Sequence, residues 1–360
     1  MKVVLNGRFL SARQSGVQRV AANLVLGLDR RLADEAGASS MTWEMRAPQG
    51  LKRSLPLSAV RFRDDSLLKG QAWEQLELPF AAGAGGLINL CNVGPLMGRS
   101  ALTMIHDAQV YLSPASYSKA FASWYRLALP RLASQSRRVV TVSEFSKGML
   151  ARFGVAKPDH IRVVPNGVDH MLAVTPDARV LARLGLEPAR FVFAFGNLQP
   201  HKNLGLLLKA FGDPRLADVR LVISGDVDAP RLEATFGVTP GPNVLLAGRL
   251  DDPQIRALIE AAACLAFPSS TEGFGLPPLE AMILGCPAIV APAGALPEVC
   301  GSAATYAPLE DLDAWVRAIA DLVGDDSGRP TRREQARAHA SAYTWRRSAE
   351  LLHGLIEEVM

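Results

Sequence analysis

Residues 264–292, CLAFPSSTEGFGLPPLEAMILGCPAIVAP, contain the pattern that decides the fold. An apolar run at 264–268 ends in a glycine-rich loop, and the apolar segment LEAMIL that follows it stops at Gly285. Another apolar run begins directly afterwards, at Pro287. A short strand, a loop, a helix and a second short strand in this order indicate an α/β chain with parallel strands.

The same alternation extends over the whole chain in two comparable series, which meet near residues 168–189. We interpret that segment as a hinge, because it holds prolines and no strong strand pattern. We therefore predict one Rossmann-like domain at 1–170, a second at 171–340, and a C-terminal amphipathic helix at 341–360 that packs on the first domain. The first predicted strand opens the segment 2–10 and breaks at Asn6–Gly7. The other predicted strands lie in the segments 86–90, 101–107, 137–143 and 161–167, then 190–198, 219–226, 243–250, 264–270 and 287–294.

The composition is that of a globular protein with more than one domain. The chain has 360 residues, of which 49% are hydrophobic and 21% are charged. Its net charge of +4 suits an anionic ligand or an acidic membrane surface. A nucleic-acid partner is not expected, because the basic residues form no dense cluster. The four cysteines have no paired spacing and are predicted to be reduced thiols rather than metal ligands.

No targeting or membrane-spanning segment is evident in the sequence. The N-terminal run is broken by Asn6, Gly7 and Arg8, unlike a secretory signal. No apolar stretch reaches the roughly 18–20 residues that a span needs. We therefore expect a soluble, cytoplasmic protein, and peripheral contact with the inner face of the membrane is left open.

Polar or glycine residues follow nearly every predicted strand. Ligands of open parallel sheets bind at the carboxyl ends of the strands. We therefore expect a ligand between two facing sheets. The residues at these ends are His106, Asp107, Ser143, Asn166 and Gly167 in the first series, and Asn197, Gly225, Asp226, Arg249 and Ser269 to Glu272 in the second.

Two helix starts are candidate anion sites. Gly16 begins the first helix, where unpaired backbone N–H groups favour phosphate, although it could be a plain N-cap glycine. Lys202 stands at the mouth of a later helix, where a lysine is unfavourable unless an anion lies between it and the helix end. His201 and Asn197 flank Lys202 and could donate hydrogen bonds as well. A solvated lysine is the alternative.

His106 is the most distinctive single residue, since it ends an apolar strand and is followed at once by Asp107. The carboxylate could orient or charge the imidazole ring. A histidine held for structural reasons is the alternative interpretation.

The glycine-rich loop is flanked by two carboxylates, Glu272 and Glu280. Gly273 and Gly275 lack Cβ, so a ligand can approach their backbone N–H groups closely. Carboxylates in one site need neutral or cationic partners, and sugar hydroxyls are such partners because they donate hydrogen bonds to an ionised carboxylate. Alternatively, Glu280 is only a favourable residue near the start of a helix.

Segment 117–138 carries the aromatic residues Tyr117, Phe121, Trp124 and Tyr125 among several basic residues. We predict that this aromatic stripe packs into the core and that the basic residues are solvated. A membrane-facing role is the alternative.

With these residues in place, EGFGLPPLE at 272–280 resembles the E-x7-E signature of family 4 retaining glycosyltransferases, which have the GT-B fold of two facing Rossmann-like domains. The resemblance extends along nearly the whole chain, in blocks that follow the family's order. The other blocks are SGVQR at 15–19, MIHDAQVYLSP at 104–114, VVTVSEFSK at 139–147, VVPNGVD at 163–169, GNLQPHKNL at 196–204, EAMILGCPAIVAP at 280–292 and ALPEVCG at 295–301.

The resemblance implies that the second domain binds a nucleotide-sugar donor. Glu272 would contact the sugar hydroxyls, and Glu280 the ribose. Lys202, flanked by Asn197 and His201, would bind the pyrophosphate. The remaining donor-side residues are Gly16 and Val17 at the phosphates, the loop residues Gly273, Phe274, Gly275 and Leu276 with their N–H groups, and Gly225, Arg249 and Leu250 around the base.

The first domain would supply His106 beside the donor sugar and would receive the acceptor, a glycan or a polyprenyl-diphosphate-linked glycan. We place Asp107, Ser143 and Asn166 on that acceptor side. His106, Lys202 and Glu272 are the predicted catalytic residues.

This chain departs from the family's pattern among the residues that would bind the pyrophosphate. The family often has an arginine at the position of Asn197, or at the position of His201 just before the lysine. Arg249 or Arg19 would have to compensate, or else Lys202 and His201 would act alone.

The resemblance implies retaining transfer without a metal or other cofactor. GDP-mannose is the first choice of donor, with UDP-sugars and dTDP-rhamnose as alternatives. A sugar-nucleotide epimerase and a non-catalytic sensor are the other open functions.

Overall fold

The structure, a computed structural model, describes residues 1–35, 41–83 and 86–360. It divides into two units, one formed by Met1–Gly167 with Tyr343–Met360 and the other by Val168–Ala342. A parallel sheet of seven strands forms the centre of the first unit, and one of six strands that of the second. The predicted α/β class with parallel sheets is therefore confirmed.

The first unit has the strand order β3-β2-β1-β4-β5-β6-β7. The chain starts in the middle of this sheet, and the strand order reverses between β1 and β4. The two strands that the sequence did not predict, β2 and β3, form one edge of the sheet. The strands are β1 Lys2–Asn6, β2 Thr42–Arg46, β3 Arg61–Arg63, β4 Gly86–Asn89, β5 Ser100–Met104, β6 Ser136–Thr141 and β7 Ile161–Val163.

Helices connect most of these strands. The longest two are α1, which begins at Gly16, and α5, which carries Phe121, Trp124 and Tyr125. The helices are α1 Gly16–Asp34, α2 Gly70–Ala72, α3 Leu78–Ala82, α4 Gln109–Leu112, α5 Lys119–Gln135 and α6 Glu144–Arg152, with a π-helical turn at Trp73–Glu77 and 3-10 turns at Arg8–Ser11, Pro114–Ser116 and Pro158–His160.

The second unit has the strand order β10-β9-β8-β11-β12-β13, so the order reverses between β8 and β11. Its strands are β8 Phe191–Gly196, β9 Arg220–Gly225, β10 Val244–Gly248, β11 Cys264–Phe267, β12 Ala288–Val290 and β13 Thr305–Tyr306. Its helices are α7 Arg179–Leu184, α8 Leu204–Ala210, α9 Ala229–Phe236, α10 Asp252–Ala261, α11 Leu276–Ile283, α12 Leu296–Cys300, α13 Leu312–Gly324 and α14 Arg329–Ala340, with 3-10 turns at Asp169–Ala173, Pro200–Lys202, Pro214–Leu216 and Gly301–Ala303.

The last helix, α15 (Trp345–Val359), belongs to the first unit, where it packs against α1. The contact is close because of Gly27: a Cβ there would lie 2.7 Å from the Cβ of Ala349. Leu352 and Ile356 of α15 are fully buried. Burial of this apolar face supplies the partner that an amphipathic helix needs.

Residues 168–189, interpreted as a hinge, contain no strand, and the division between the two units falls at Gly167/Val168. The segment forms the 3-10 turn Asp169–Ala173 and α7, and Arg256 of α10 donates to the carbonyls of Met171 and Leu172 over 3.0 and 2.9 Å.

The charged, glycine- and proline-containing segment 324–334 is typical of a linker in the sequence, but in the structure it forms α14 from Arg329 onward, and Arg332 pairs with Asp325 at 2.6 Å. This ion pair at the start of the segment favours the helix over an open linker.

Candidate active site

The loops after β8 and β11 form the centre of the candidate site in the second unit. These two strands are hydrogen-bonded neighbours, and the strand order reverses between them. In an open α/β sheet this switch point leaves a crevice at the carboxyl ends of the strands. Both loops that the sequence predicts to bind ligand, 196–204 and 268–276, begin there.

Hydrogen bonds from one loop to the carbonyl of His201 tie the two loops together. The N–H of Ser270 donates to that carbonyl over 2.7 Å, and the hydroxyl of Ser269 lies 3.2 Å from it. Ser269 is fully buried. This attachment sets the two loops side by side and so decides which side chains of each can meet.

Lys202 and Glu272 meet as a result of this attachment. Nζ of Lys202 lies 2.6 Å from Oε1 of Glu272, and the Ser269 hydroxyl donates to the same oxygen over 2.5 Å. The Lys202 ammonium also lies 5.4 Å from the centre of the Phe267 ring, within the range of a cation–π contact. The side chain of Lys202 keeps 23% of its surface exposed, so an anion can still reach it.

His201 is buried beside this pair. Burial, with a smaller contribution from the positive charge of Lys202, lowers the pKa of His201 to about 4. The imidazole is therefore neutral at pH 7, and it adds no positive charge to the site. It does not replace the charge of the arginine that the family usually places here.

Asn197 shapes the first loop. Its Oδ1 accepts a hydrogen bond from the backbone N–H of Gln199 over 2.8 Å, which is an Asx turn. Its Nδ2 donates to Oε1 of Gln199 over 3.2 Å. The chain then enters α8 through Asn203, whose φ is +50°. The side chain predicted to bind donor thus has a conformational role in the structure.

The glycine-rich loop leads into α11 through a residue in the left-handed conformation, which the sequence analysis did not predict. Gly275 has φ 95°, and a Cβ there would lie 2.6 Å from Cδ2 of Leu296. Gly273 and Phe274 are buried, and Leu276 is the first residue of α11. Phe274, which looks exposed in the sequence, keeps only 5% of its surface and anchors the loop.

Glu280 lies in the second turn of α11 and faces His170, a residue that the sequence analysis missed. Nε2 of His170 is 3.1 Å from Oε1 of Glu280, and their side chains are 11% and 12% exposed. His170 directly follows the VVPNGVD block, so its place next to a family motif could be seen in the sequence. Nothing in the sequence indicates that His170 lies near Glu280.

Gly294 is a second missed residue. Its φ is 62°, and a Cβ would lie 2.5 Å from the backbone nitrogen of Glu272. The next residue, Ala295, donates its N–H to the carbonyl of Glu272 over 3.0 Å. The turn after β12 therefore holds the backbone of Glu272 in place.

Arg249 and Leu250 follow β10, two strands from β8 in the sheet. Arg249 forms an ion pair with Asp226 in the loop after β9, with 2.6 Å between Nη2 and Oδ2. Both side chains are substantially exposed. The structure thus groups Arg249 with Asp226, in a separate cluster from the pair of Lys202 and Glu272.

In the first unit, His106 is buried and its Nε2 lies 2.9 Å from the carbonyl of Leu90. Burial lowers the pKa of His106 to about 4, so the ring is neutral at pH 7. Because a carbonyl only accepts, Nε2 carries the proton and Nδ1 is an acceptor. Asp107 accepts a hydrogen bond from the N–H of Gln109 over 2.9 Å.

The other candidates of the first unit differ in what they contact. Ser143 is fully buried and caps α6, its hydroxyl accepting from the N–H of Ser146 over 3.0 Å. Asn166 is 3% exposed, and its Oδ1 has no hydrogen-bond partner among the described residues. Gly16 is the first residue of α1, and Val17 lines a cavity of about 910 Å³ together with Asp107.

The aromatic stripe of 117–125 lines the same cavity. The prediction that it packs into the core is confirmed for Tyr117 and Tyr125, which are partly buried against a core cluster, and is wrong for the other two residues. Phe121 and Trp124 each keep 41% of their surface exposed.

The prediction that the basic residues are solvated is confirmed for Lys119, Arg126, Arg131 and Arg137, which are exposed. Arg138 is half-buried and pairs with Glu358 at 2.6 Å.

Two further observations concern metal ligands and membrane spans. Among the described residues, no three His, Cys, Asp or Glu side chains are grouped as metal ligands. The four cysteines are free. No helix in the described part of the chain combines the length and apolarity of a membrane span.

The solved structures that resemble this chain share its fold over nearly the full length. The sucrose-phosphate synthase of Thermosynechococcus elongatus has a TM-score of 0.72 at 19% identity and covers 99% of this chain and 98% of its own. Anabaena HepE, solved with UDP and glucose, has a TM-score of 0.72 at 16% identity, with 99% and 100% covered. The fold is that of the GT-B glycosyltransferases.

The family models place a domain in each half of the chain. Residues 77–171 match the model described as Glycosyltransferase Family 4, and residues 189–325 match Glycosyl transferases group 1. These two segments are therefore similar to glycosyltransferase domains.

Two curated relatives show the range of the similarity. The O-antigen chain mannosyltransferase B of Escherichia coli is 29% identical over 68% of this chain and 67% of its own length. The D-inositol 3-phosphate glycosyltransferase of Segniliparus rotundus is 32% identical over 61% of this chain and 52% of its own. The match spans only about half the length of the latter protein.

Proposed function

We propose that this chain is a retaining, metal-independent glycosyltransferase that moves a hexose from a nucleotide-sugar donor to a glycan or a polyprenyl-diphosphate-linked glycan. The observation that carries the proposal is the pair of Lys202 and Glu272 at the switch point of the second sheet, 2.6 Å apart. A cation and a carboxylate side by side match the two chemically different ends of a sugar diphosphate.

The donor would engage each partner of this pair differently. The diphosphate would be attracted to the ammonium of Lys202, and the sugar hydroxyls would donate to the carboxylate of Glu272. Backbone N–H groups at the start of α11, from Phe274 to Leu276, would add positive potential at the phosphates. Glu280 would accept from the ribose hydroxyls, with His170 holding its carboxylate.

The reaction needs no enzymic nucleophile. The bond between the sugar C1 and the phosphate oxygen breaks, and the acceptor oxygen bonds to C1 from the same face. The acceptor's proton passes to the leaving phosphate oxygen. Lys202 and the α11 N–H groups stabilise the charge that develops on the phosphate. Since Nδ1 of the neutral His106 is an acceptor, we propose that it receives a hydrogen bond from a donor-sugar hydroxyl.

GDP-mannose is our first choice of donor, and the O-antigen chain mannosyltransferase B among the relatives supports it. The second candidate is a UDP-sugar, which is supported by the HepE structure solved with UDP-glucose. dTDP-rhamnose is the third. The O-antigen chain mannosyltransferase B also supports the proposed acceptor, which is a glycan of the bacterial surface or of an exopolysaccharide.

A thermal-shift panel with GDP, UDP and dTDP tests the donor, because a ligand at 100 times its Kd stabilises the native state by about 2.7 kcal/mol. GDP should give the largest shift in wild-type protein, and Lys202→Met should reduce it. A larger shift with UDP or dTDP would replace GDP-mannose by the corresponding donor. Equal, negligible shifts with all three would contradict the proposal.

Turnover separates the transferase from the other two functions. A transferase releases nucleoside diphosphate only when an acceptor is added and keeps its activity in EDTA. An epimerase converts the donor without an acceptor, and a sensor binds it without turnover. Activity that disappears in EDTA and returns with Mn²⁺ would contradict metal independence.

A further inference from the structure

Two protein donors contact the same oxygen of the Glu272 carboxylate. Nζ of Lys202 lies 2.6 Å from Oε1, and the hydroxyl oxygen of Ser269 lies 2.5 Å from it. The other oxygen, Oε2, has no hydrogen-bond partner among the residues that the structure describes. The side chain of Glu272 keeps 12% of its surface exposed. One carboxylate oxygen is thus fixed by the protein, and the other is left for a ligand.

The two donors differ in how firmly they are placed. The ammonium of Lys202 ends a flexible four-carbon stem, and its side chain is 23% exposed. Ser269 is fully buried and follows β11 closely in the chain. Its neighbour Ser270 donates its backbone N–H to the carbonyl of His201 over 2.7 Å, which fixes the backbone at this point. The hydroxyl of Ser269 therefore has a fixed position, whereas the ammonium can move.

The hydroxyl of Ser269 has one proton and three acceptors within reach. The carbonyls of His201 and Thr271 lie 3.2 and 3.4 Å from its oxygen, farther away than Oε1 of Glu272. The carboxylate is also the only charged acceptor of the three, and hydrogen bonds to ionised acceptors are the stronger ones. The proton of Ser269 therefore goes to Glu272.

We propose that Ser269 is a positioning residue for the donor sugar: its hydroxyl holds Oε1 of Glu272 and so presents Oε2 to the sugar hydroxyls. The inference rests on the proposed transferase function. When a diphosphate binds, the three N–H donors of the Lys202 ammonium are divided between the phosphates and the carboxylate. Ser269 is buried and gains no such second ligand. It therefore keeps the carboxylate oriented after the cation has turned to the phosphates.

Binding of a nucleotide with and without its sugar tests this role and requires no acceptor. Ser269→Ala should weaken the binding of GDP-mannose by about tenfold, because the carboxylate loses the hydrogen bond that orients it. GDP has no sugar for Glu272 to hold, so its affinity should stay at the wild-type value. Titration calorimetry with each nucleotide measures both affinities. A purely structural role of Ser269 would weaken the two nucleotides alike.

Ser270→Ala is the matched control. The hydroxyl of Ser270 lies 3.2 Å from the carbonyl of His201, as that of Ser269 does, but in the described part of the chain it makes no hydrogen bond to Glu272. This variant should bind both nucleotides as the wild type does. Ser269→Cys separates hydrogen bonding from packing, because a thiol fills the space of the hydroxyl but is a weak donor. It should weaken GDP-mannose binding nearly as much as Ser269→Ala.

A double variant shows whether Ser269 acts through Glu272. In protein that carries Glu272→Ala, the carboxylate is absent, and adding Ser269→Ala should change the Kd for GDP-mannose by less than about twofold. A full tenfold loss in this background would mean that Ser269 acts on the sugar by another route, which would overturn the proposal.

The outcomes separate this inference from the proposed function. If the wild type binds both nucleotides and Ser269→Ala weakens neither, or weakens both equally, Ser269 does not position Glu272 and the transferase proposal stands. Wild-type affinity of Ser269→Cys for GDP-mannose would also overturn the role of the hydrogen bond. If the thermal-shift panel selects UDP, then UDP-glucose and UDP are compared in the same way. If no nucleotide binds the wild type, the transferase proposal itself fails.

Discussion

Lys202 and Glu272 are neighbours in space, with Nζ 2.6 Å from Oε1, although they belong to the loops after two different strands. The hydroxyl of the buried Ser269 donates to the same carboxylate oxygen. The carboxylate thus has a cation and a neutral donor, and both are held by the attachment of the two loops. Substituting Lys202 and Glu272 one at a time therefore tests their two proposed roles separately.

Lys202→Met should lower the affinity for the donor's nucleoside diphosphate by about tenfold or more, because the phosphates lose a charge-assisted partner. The change also leaves Glu272 without its cation, so the free energy of unfolding should fall by about 1–2 kcal/mol. Calorimetric titration with GDP and urea denaturation measure the two effects. Lys209→Met, at an exposed position of α8, is the control and should change neither. Unaltered GDP affinity in Lys202→Met would remove Lys202 from the phosphate site.

Glu272→Gln and Glu280→Gln should behave differently. Loss of the Glu272 charge should lower kcat by about 10²–10³, since that carboxylate is proposed to hold the sugar being transferred. Loss of the Glu280 charge should mainly raise the KM for the donor. Steady-state kinetics with varied donor concentration distinguish the two patterns. Identical effects on kcat and KM would contradict this division.

His170→Ala should have the kinetic signature of Glu280→Gln in weaker form. His170 lies 3.1 Å from the Glu280 carboxylate and is proposed to position it. We expect the KM for the donor to rise by about three- to tenfold with kcat nearly constant. If the double variant with Glu280→Gln is no worse than Glu280→Gln alone, His170 acts through Glu280. Additive effects would mean that it acts independently.

Gly294→Ala should destabilise the second unit and impair turnover together. The new Cβ would lie 2.5 Å from the backbone nitrogen of Glu272, at a φ of 62° that alanine adopts only under strain. We expect about 2–4 kcal/mol of destabilisation. Gly237→Ala is the matched control, because its φ is 66° and nothing lies within 4 Å of the added Cβ. It should lose only about 1 kcal/mol and keep full activity.

Stability should fall in acid because of His106. Its pKa is lowered from 6.5 to about 4 in the folded protein by burial. Above pH 6.5 neither state binds the proton; between pH 6.5 and 4 the unfolded chain takes it up and the native state does not. The free energy of unfolding should therefore decrease by about 3 kcal/mol over that range from this residue.

Urea denaturation of wild-type protein and His106→Gln between pH 4 and 7 measures this dependence. As the pH falls, the free energy of unfolding of the wild-type protein should decrease relative to that of the variant. A difference that is constant with pH would show that the ring of His106 is protonated as readily in the native state as in the unfolded chain.

Much of the fold follows from local sequence pattern. The alternation of β-branched runs with amphipathic segments predicted most strands of both sheets within a few residues, because burial on both faces demands continuous apolar runs. The strands Thr42–Arg46, Arg61–Arg63 and Thr305–Tyr306 were missed. The first two carry charged residues that break the apolar pattern, and the last two are short strands at sheet edges. Helix α14 was missed because a segment rich in charged residues is typical of a linker, and the pairing of Arg332 with Asp325 is seen only in the structure.

The sequence by itself determined the α/β architecture and the positions of the loops predicted to bind ligand. These are local properties, set by backbone conformation and by the period of apolar residues. The tertiary structure alone decided which side chains meet. It placed Lys202 against Glu272 and His170 against Glu280. It also left Phe121 and Trp124 of α5 exposed, while Tyr125 of the same helix packs against the core. Periodicity shows which residues share a face of a helix, but what that face contacts depends on the packing of segments far apart in the chain.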